Sequence, residues 1–373
     1  MQFIDIKKQY ELLKHAIDEG IQRVCGHGAF IMGPEVQELE KRLAAFAGVR
    51  HALACSSGTD ALVMPLMAWG VGLGDAVFTT PFTFVATAEA IALVGATPVF
   101  VDICPDTFNI DPALLEQEIK STLKEGELRP KAVIPVDLFG LPADYDEIGM
   151  VAEKYSLKVL EDAAQGFGGR YKGRVAGSLG DVGATSFFPA KPLGCYGDGG
   201  AMFTDDDETA ALLSSIRVHG QGEDKYENVR TGVNGRLDTI QAAVLLEKLA
   251  VFEEEIAMRN RIAAKYNSAL NGLVQTPMFH DGLVSTWAQY SVLAKDTAER
   301  EIIMKKLAQN EVPTMVYYKK PLHLQKAFAH LNYRRGDMPV SEGVASRIFS
   351  LPMHPYLKDK DVGEIAGVIA SCA

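Results

Sequence analysis

The sequence predicts an α/β fold: a mostly parallel central sheet covered on both faces by helices, followed by a smaller α+β domain. Short apolar runs of strand length recur along the first part of the chain, with helix-length patterns between them. Such short buried strands alternating with helices belong to parallel sheets with both faces covered. The length of 373 residues exceeds what one hydrophobic core usually organises, so a second domain is expected.

In order along the chain, residues 9–24 carry Leu12, Leu13, Ile17, Ile21 and Val24 at helical spacing, ended by Gly26-His27-Gly28. Gly33-Pro34 opens a second helix, Val36–Phe46, where proline suits the first turn. Strands are expected at Ala52–Cys55, Ala76–Thr79, Thr97–Val101, Ala132–Val136, Lys158–Leu160, Ala184–Phe187 and Ala201–Phe203. Helices fit most of the gaps, among them Asp60–Trp69, Thr83–Val94, Asp144–Tyr155 and Asp206–Val218. Two long helical patterns follow, Leu237–Leu249 and Phe252–Leu270, and the domain boundary is placed in the second. Residues 1–255 then form the large domain with its N-terminal helices, and 256–373 the small one. Within the latter, strands are expected at Gln289–Ala294 and Thr314–Tyr318, and helices at Thr297–Gln309 and Lys360–Ile369.

Composition narrows the function. Net charge is −11 and no long Lys/Arg run occurs, which argues against nucleic acid or a membrane surface as partner. The five cysteines are scattered without C-x-x-C spacing, so neither a disulfide framework nor a metal site is expected, and a reducing cytoplasm fits. No stretch approaches the roughly 18 apolar residues of a membrane span.

Ligands in parallel sheets bind past the carboxyl ends of strands, and three segments there carry chemistry. In Ser186-Phe-Phe-Pro-Ala-Lys191-Pro-Leu-Gly-Cys-Tyr-Gly197-Asp-Gly199-Gly200, a lysine follows a strand in a Gly/Pro-rich loop. A desolvated lysine amine can form a Schiff base with a pyridoxal aldehyde; the bland alternative is a solvated surface lysine. In Leu160-Glu161-Asp162-Ala163-Ala164-Gln165, a strand runs into a carboxylate that could meet a pyridine nitrogen, or could simply cap a helix at Ala163. Gln165 could bond the ring's phenolic oxygen. Cys55-Ser56-Ser57-Gly58-Thr59-Asp60 joins a strand to a helix start, where backbone N–H groups and the helix dipole suit a phosphate. It is neither a Walker A loop nor a G-x-G-x-x-G fingerprint. Phe84 could stack on an aromatic ring or belong to the core, and Asn234 could be a site residue or a helix cap.

Taken in order, these segments resemble the DegT/DnrJ-type sugar aminotransferases, a branch of the fold-type I pyridoxal-phosphate enzymes. The resemblance runs nearly end to end, through FIDIKKQY, GPEVQELE, SSGTDAL, PFTFVATAEAI, EDAAQGFG, SFFPAKPLGCYGDGG, GVNGRLDTIQAA and SLPMHPYL. It implies that Lys191 is the Schiff-base lysine and proton shuttle, that Asp162 pairs with the ring nitrogen, and that Gln165 touches the ring oxygen. It further implies that Phe84 stacks on the ring and that Ser57, Gly58, Thr59 and Ser186 cradle the phosphate of pyridoxal 5'-phosphate. Asn234 would reach that phosphate from the neighbouring subunit, making an obligate homodimer with shared sites. Some relatives with histidine in place of the lysine are dehydratases; this chain keeps Lys191, so transamination is expected, with L-glutamate as donor.

The pattern around Lys191 looks like members that aminate carbon 3 of a nucleotide-linked keto-sugar. SFFPAKPLGCYGDGG and SLPMHPYL look closest to the enzymes acting on UDP-2-acetamido-2-deoxy-3-oxo-D-glucuronate in surface-polysaccharide synthesis. Those enzymes resemble Val-His-Tyr where this chain has Val316-Tyr317-Tyr318, ahead of Lys319-Lys320-Pro321-Leu322-His323. Tyr317, Tyr318 and His323 are taken as substrate-bordering, and Arg236 as the cation for a sugar carboxylate. Lys319, Lys320, Arg217 and Arg230 could meet the diphosphate, and His219 could line the site. Competing expectations are UDP-3-oxo-N-acetylglucosamine or a dTDP-3-oxo-6-deoxyhexose as acceptor and, from another class, a pyridoxal-phosphate-binding regulator without turnover.

Overall fold

The computed structural model describes every residue except Lys225, Phe279, His280 and Ala373. The chain opens with two helices, α1 (Ile6–His27) and α2 (Pro34–Ala47). Asp5 caps α1 by accepting from the Lys8 N–H, and Gly28, at φ 72°, ends it in the left-handed conformation that glycine adopts without strain. An alternating stretch follows: β1 (His51–Cys55), α3 (Gly58–Ala68), β2 (Asp75–Thr79), α4 (Val85–Leu93), β3 (Thr97–Phe100), α5 (Pro112–Glu125), β4 (Arg129–Ile134), α6 (Tyr145–Tyr155) and β5 (Lys158–Asp162). After it come β6 (Arg170–Tyr171), β7 (Arg174–Val175), β8 (Val182–Ser186), β9 (Gly200–Thr204), α7 (Asp207–Ile216), α8 (Thr239–Leu249) and α9 (Phe252–Ala269). The chain closes with β10 (Leu283–Val284), β11 (Tyr290–Leu293), α10 (Thr297–Gln309), α11 (Pro339–Arg347), β12 (Ile348–Leu351) and α12 (Asp359–Ala370).

The seven-stranded sheet has the order β1-β9-β8-β5-β4-β2-β3. All its strands share one direction except β9, which runs antiparallel to both neighbours. Side chains alternate between two cores. Ala76, Phe78, Val133 and Val159 enter the core shared with α2, α6 and α8; Leu53, Val77, Ile134 and Leu160 enter the other, with α3 and α7. Strands apolar on both faces are what the sequence patterning requires of such a sheet. Beyond it, Ile262 and Tyr266 of α9 pack with Val292, Phe349, Leu307 and Ile365, a core built on the two-stranded sheet β11-β12.

One strand expectation is overturned. Thr314–Tyr318 forms no strand: only Met315 bridges to Ser350 at the edge of β12, and the chain turns at Tyr317-Tyr318, whose peptide bond is cis. The β-favouring side chains are there, but the turn at Tyr317-Tyr318 ends the pairing after Met315, whose N–H and carbonyl both bond Ser350.

Candidate active site

The carboxyl ends of β1, β2, β5 and β8 lie at one edge of the sheet. The amino end of antiparallel β9 meets them there, Gly200 standing opposite both Cys55 and Ser186. The loops that carry Ser57, Phe84, Asp162 and Lys191 leave this edge.

Asp162 ends β5 and is buried. Its carboxylate accepts from the Thr87 hydroxyl at 2.8 Å and from the Ala164 N–H at 3.2 Å. Burial pushes its pKa above the usual carboxylate range, with those two bonds and the positive charge of Lys191 acting the other way. Lys191 follows the turn closed by its own N–H on the Phe188 carbonyl at 2.8 Å. Burial holds its ammonium below the usual lysine range, and the Asp162 charge opposes that shift. The sheet thus sets a carboxylate and an amine within electrostatic reach in a desolvated place, as acid–base chemistry requires.

Ser57 caps α3, its hydroxyl oxygen accepting from the Asp60 N–H at 3.1 Å. A Cβ on Gly58 would lie 2.6 Å from that of Ser186, so the first turn of α3 rests directly on the end of β8. Backbone N–H groups at that helix start, with Ser57, Thr59 and Ser186 around them, form a small cradle for an anion. Asp60, which the sequence reading passed over, takes the hydroxyls of Ser56 and Ser57.

Phe84 is the residue before α4 and is 56% exposed, one turn ahead of Thr87. An aromatic ring left exposed one turn from the threonine that bonds Asp162 suits a planar ligand. Gln165 is buried; its Oε1 accepts from the Phe139 N–H at 2.9 Å and its Nε2 donates to the Tyr318 hydroxyl at 3.2 Å. Tyr318 packs edge-on against Phe82, and burial pushes its hydroxyl pKa up. Tyr318 therefore joins the site; Tyr317 lies beside Phe3. Together these residues fit a phosphorylated pyridine aldehyde: a carboxylate for the nitrogen, an amine for the aldehyde, an aromatic lid and an anion cradle.

Other candidates fall elsewhere. His323 is buried with its Nε2 3.1 Å from Glu342 and its ring against Tyr333, so the structure gives it a packing role in place of the expected substrate contact. Arg217 is likewise buried, bonded to Glu40 and, at 2.8 Å, to the Ala54 carbonyl, which removes it from any diphosphate site. Arg230 reaches the Ser215 hydroxyl, and His219, at φ 64°, closes the end of α7 with its N–H on the Val233 carbonyl. Lys319 and Lys320 are exposed. Arg236 donates to the Asn234 amide oxygen at 3.0 and 2.7 Å on a turn whose Gly235 carbonyl accepts from the Ser56 N–H. Thr87 was also missed: a threonine inside a helix carries no sequence mark until the helix is docked on β5.

A model of the DegT/DnrJ/EryC1/StrS aminotransferase family matches residues 12–370. The UDP-2-acetamido-2-deoxy-3-oxo-D-glucuronate aminotransferase of Pseudomonas aeruginosa is 49% identical, across 100% of both chains. A pleiotropic regulatory protein of Geobacillus stearothermophilus is 42% identical, over 98% of this chain and 97% of its own. Among solved structures, a DegT DnrJ EryC1 StrS aminotransferase from Brucella abortus superposes with a TM-score of 0.97 at 53% identity, covering 100% of this chain and 99% of that one.

Proposed function

The chain belongs to the DegT/DnrJ/EryC1/StrS aminotransferase family, and from that premise we propose that it moves the amino group of L-glutamate to carbon 3 of UDP-2-acetamido-2-deoxy-3-oxo-D-glucuronate. The cofactor is pyridoxal 5'-phosphate. The acceptor rests on one observation, the 49% identity to the Pseudomonas aeruginosa enzyme of that name over the whole of both chains. The product would serve surface-polysaccharide synthesis.

When bound, pyridoxal phosphate supplies an aldehyde carbon to carry the amino group and a protonated ring to stabilise the neighbouring carbanion. The roles proposed for the residues are those the family implies, and their surroundings support them. Asp162, fixed by Thr87 and the Ala164 N–H, would hold a proton at the ring nitrogen. Ser57, Gly58, Thr59 and Ser186 would bind the phosphate at the start of α3, while Phe84 would cover the ring and Gln165 would bond its oxygen. Lys191, its pKa lowered by burial, takes the α-proton of glutamate in one half-reaction and delivers a proton to carbon 3 of the sugar in the other. Tyr318, bonded to Gln165, borders the acceptor. Asn234 and Arg236 share an exposed turn and act across a homodimer, Asn234 on the phosphate and Arg236 on the sugar carboxylate.

An intact lysine, aspartate and phosphate cradle support turnover over a purely regulatory role. The test is a product assay by mass spectrometry with L-glutamate and three acceptors: the 3-oxo-glucuronate, UDP-3-oxo-N-acetylglucosamine and a dTDP-3-oxo-6-deoxyhexose. The acid should be preferred by about tenfold or more in kcat/KM, about 1.4 kcal/mol of transition-state discrimination. Preference for either neutral sugar would overturn the acceptor, and absence of 2-oxoglutarate with all three would favour a regulator.

A further inference from the structure

The loop that carries Lys191 closes on itself at its base, where the Phe187 N–H donates to the Gly199 carbonyl and the Cys195 N–H to the Phe187 carbonyl, both at 2.8 Å. Its outer turn is held from α8. Gln241 accepts from the Tyr196 N–H at 2.8 Å. Two turns further along the same helix face, Lys248 Nζ donates to the Gly194 carbonyl at 2.6 Å and lies 4.3 Å from the centroid of the Tyr196 ring. Gly194 admits no side chain, since a Cβ would stand 2.7 Å from the carbonyl oxygens of Phe188 and Pro189.

Lys248 is only 1% exposed, and among the described residues no carboxylate forms an ion pair with it. A buried ammonium with a carbonyl and a ring for company costs stability that an apolar side chain of the same length would not. Burial pushes its pKa down to about 8, with Cys195 and Glu255 acting in the opposite sense. A group kept against such a cost calls for a use beyond packing.

We infer that Lys248 is a positioning residue: through the Gly194 carbonyl and the Tyr196 ring it fixes the turn that sets where Lys191 Nζ stands. The inference rests on Lys191 being the residue that binds the cofactor.

Lys248→Met keeps the stem and deletes the donor and the charge. In cofactor-free protein, hydrogen exchange read by mass spectrometry should quicken roughly tenfold in peptides spanning residues 188–199, while β2 and β4 keep wild-type rates. In the loaded enzyme kcat should fall about tenfold with the acceptor KM within about twofold, and borohydride should fix less pyridoxal phosphate to Lys191. Wild-type exchange in the loop, or a wild-type kcat, overturns the inference. If Lys248→Met loosens the whole sheet, Lys248→Arg decides: restored loop protection supports the clamp, and none overturns it. Failure of wild-type protein to take up pyridoxal phosphate on Lys191 would instead refute the functional reading, while the exchange arm still reports on the clamp.

Discussion

At the scale of single residues, the site is one buried carboxylate set against one desolvated amine. Lys191→Ala should lower turnover by at least about 1,000-fold and leave the melting temperature within a few degrees, read by product assay and circular dichroism. Asp162 makes a thermodynamic prediction as well. Its pKa is raised by folding, so in cofactor-free protein it costs stability above its folded pKa and nothing below its unfolded one, about 3.9. Asp162→Asn should therefore raise the urea midpoint of the cofactor-free protein at pH 7, and the gain should fade as pH falls through that window. The same substitution should abolish transamination. His323 separates packing from function: His323→Ala should cost about 2–3 kcal/mol of stability while the acceptor KM stays within about twofold, because it empties a buried place against Tyr333 and leaves Glu342 with backbone partners alone. Asp162 was legible as a candidate because it ends a strand whose place the sheet sets, and Lys191 because it lies in the Gly/Pro-rich loop that leaves one. Asp60 bonds Ser56 and Ser57 within its own turn, where an acidic residue early in a helix is unremarkable. Thr87 and Lys248 were not legible, since each acts through a partner that only tertiary packing supplies. His323 misled for the same reason, its partner Glu342 lying 19 residues on.

At the scale of elements, α3 and its seat on β8 carry the anion cradle. Gly58→Ala would push a methyl to 2.6 Å from the Ser186 Cβ, so it should destabilise the chain by about 1–3 kcal/mol and weaken pyridoxal phosphate binding, measured by urea unfolding and fluorescence titration. The sheet strands were readable from their apolar runs, and observed ends fall close to those expected. Other elements were not singled out. α5 has its signals in plain sight, Asp111 as cap, Pro112 in the first turn and Gly126 at the end, yet its buried stripe is thin, only Leu115, Ile119 and Thr122. α11 is anchored from far along the chain, its Val340 and Ser341 N–H groups donating to Asp102 at 2.8 and 2.9 Å. The two-residue strands β6, β7 and β10 are too short to leave a period in the sequence.

At the scale of the whole molecule, strand order could not be read from the chain, because apolar runs say which segments are buried and not which are neighbours. β9 shows the point: it inserts between β1 and β8 and runs against both, which brings Gly200 beneath the Ser57 carbonyl at the site's edge. We propose that the domain division lies within α9, about a turn beyond the expected boundary at 255–256, since Phe252 and Ile256 still pack under the main sheet and Ile262 and Tyr266 in the second core. Native-state hydrogen exchange should then show α10 and α12 opening separately from β2 and β4; a single opening would remove the division. The shared-site homodimer has a sharper test. Mixing inactive Lys191→Ala with inactive Asn234→Asp should restore about a quarter of wild-type activity, as half the dimers are mixed and each has one intact site. No restoration would place Asn234 in its own subunit's site.

A two-step absorbance titration tests transamination most directly. L-Glutamate added to protein loaded with pyridoxal phosphate should bleach the visible band of the bound cofactor, and UDP-2-acetamido-2-deoxy-3-oxo-D-glucuronate should bring it back. A band that glutamate leaves unchanged, or that this sugar does not restore, would contradict the proposed donor or the proposed acceptor respectively.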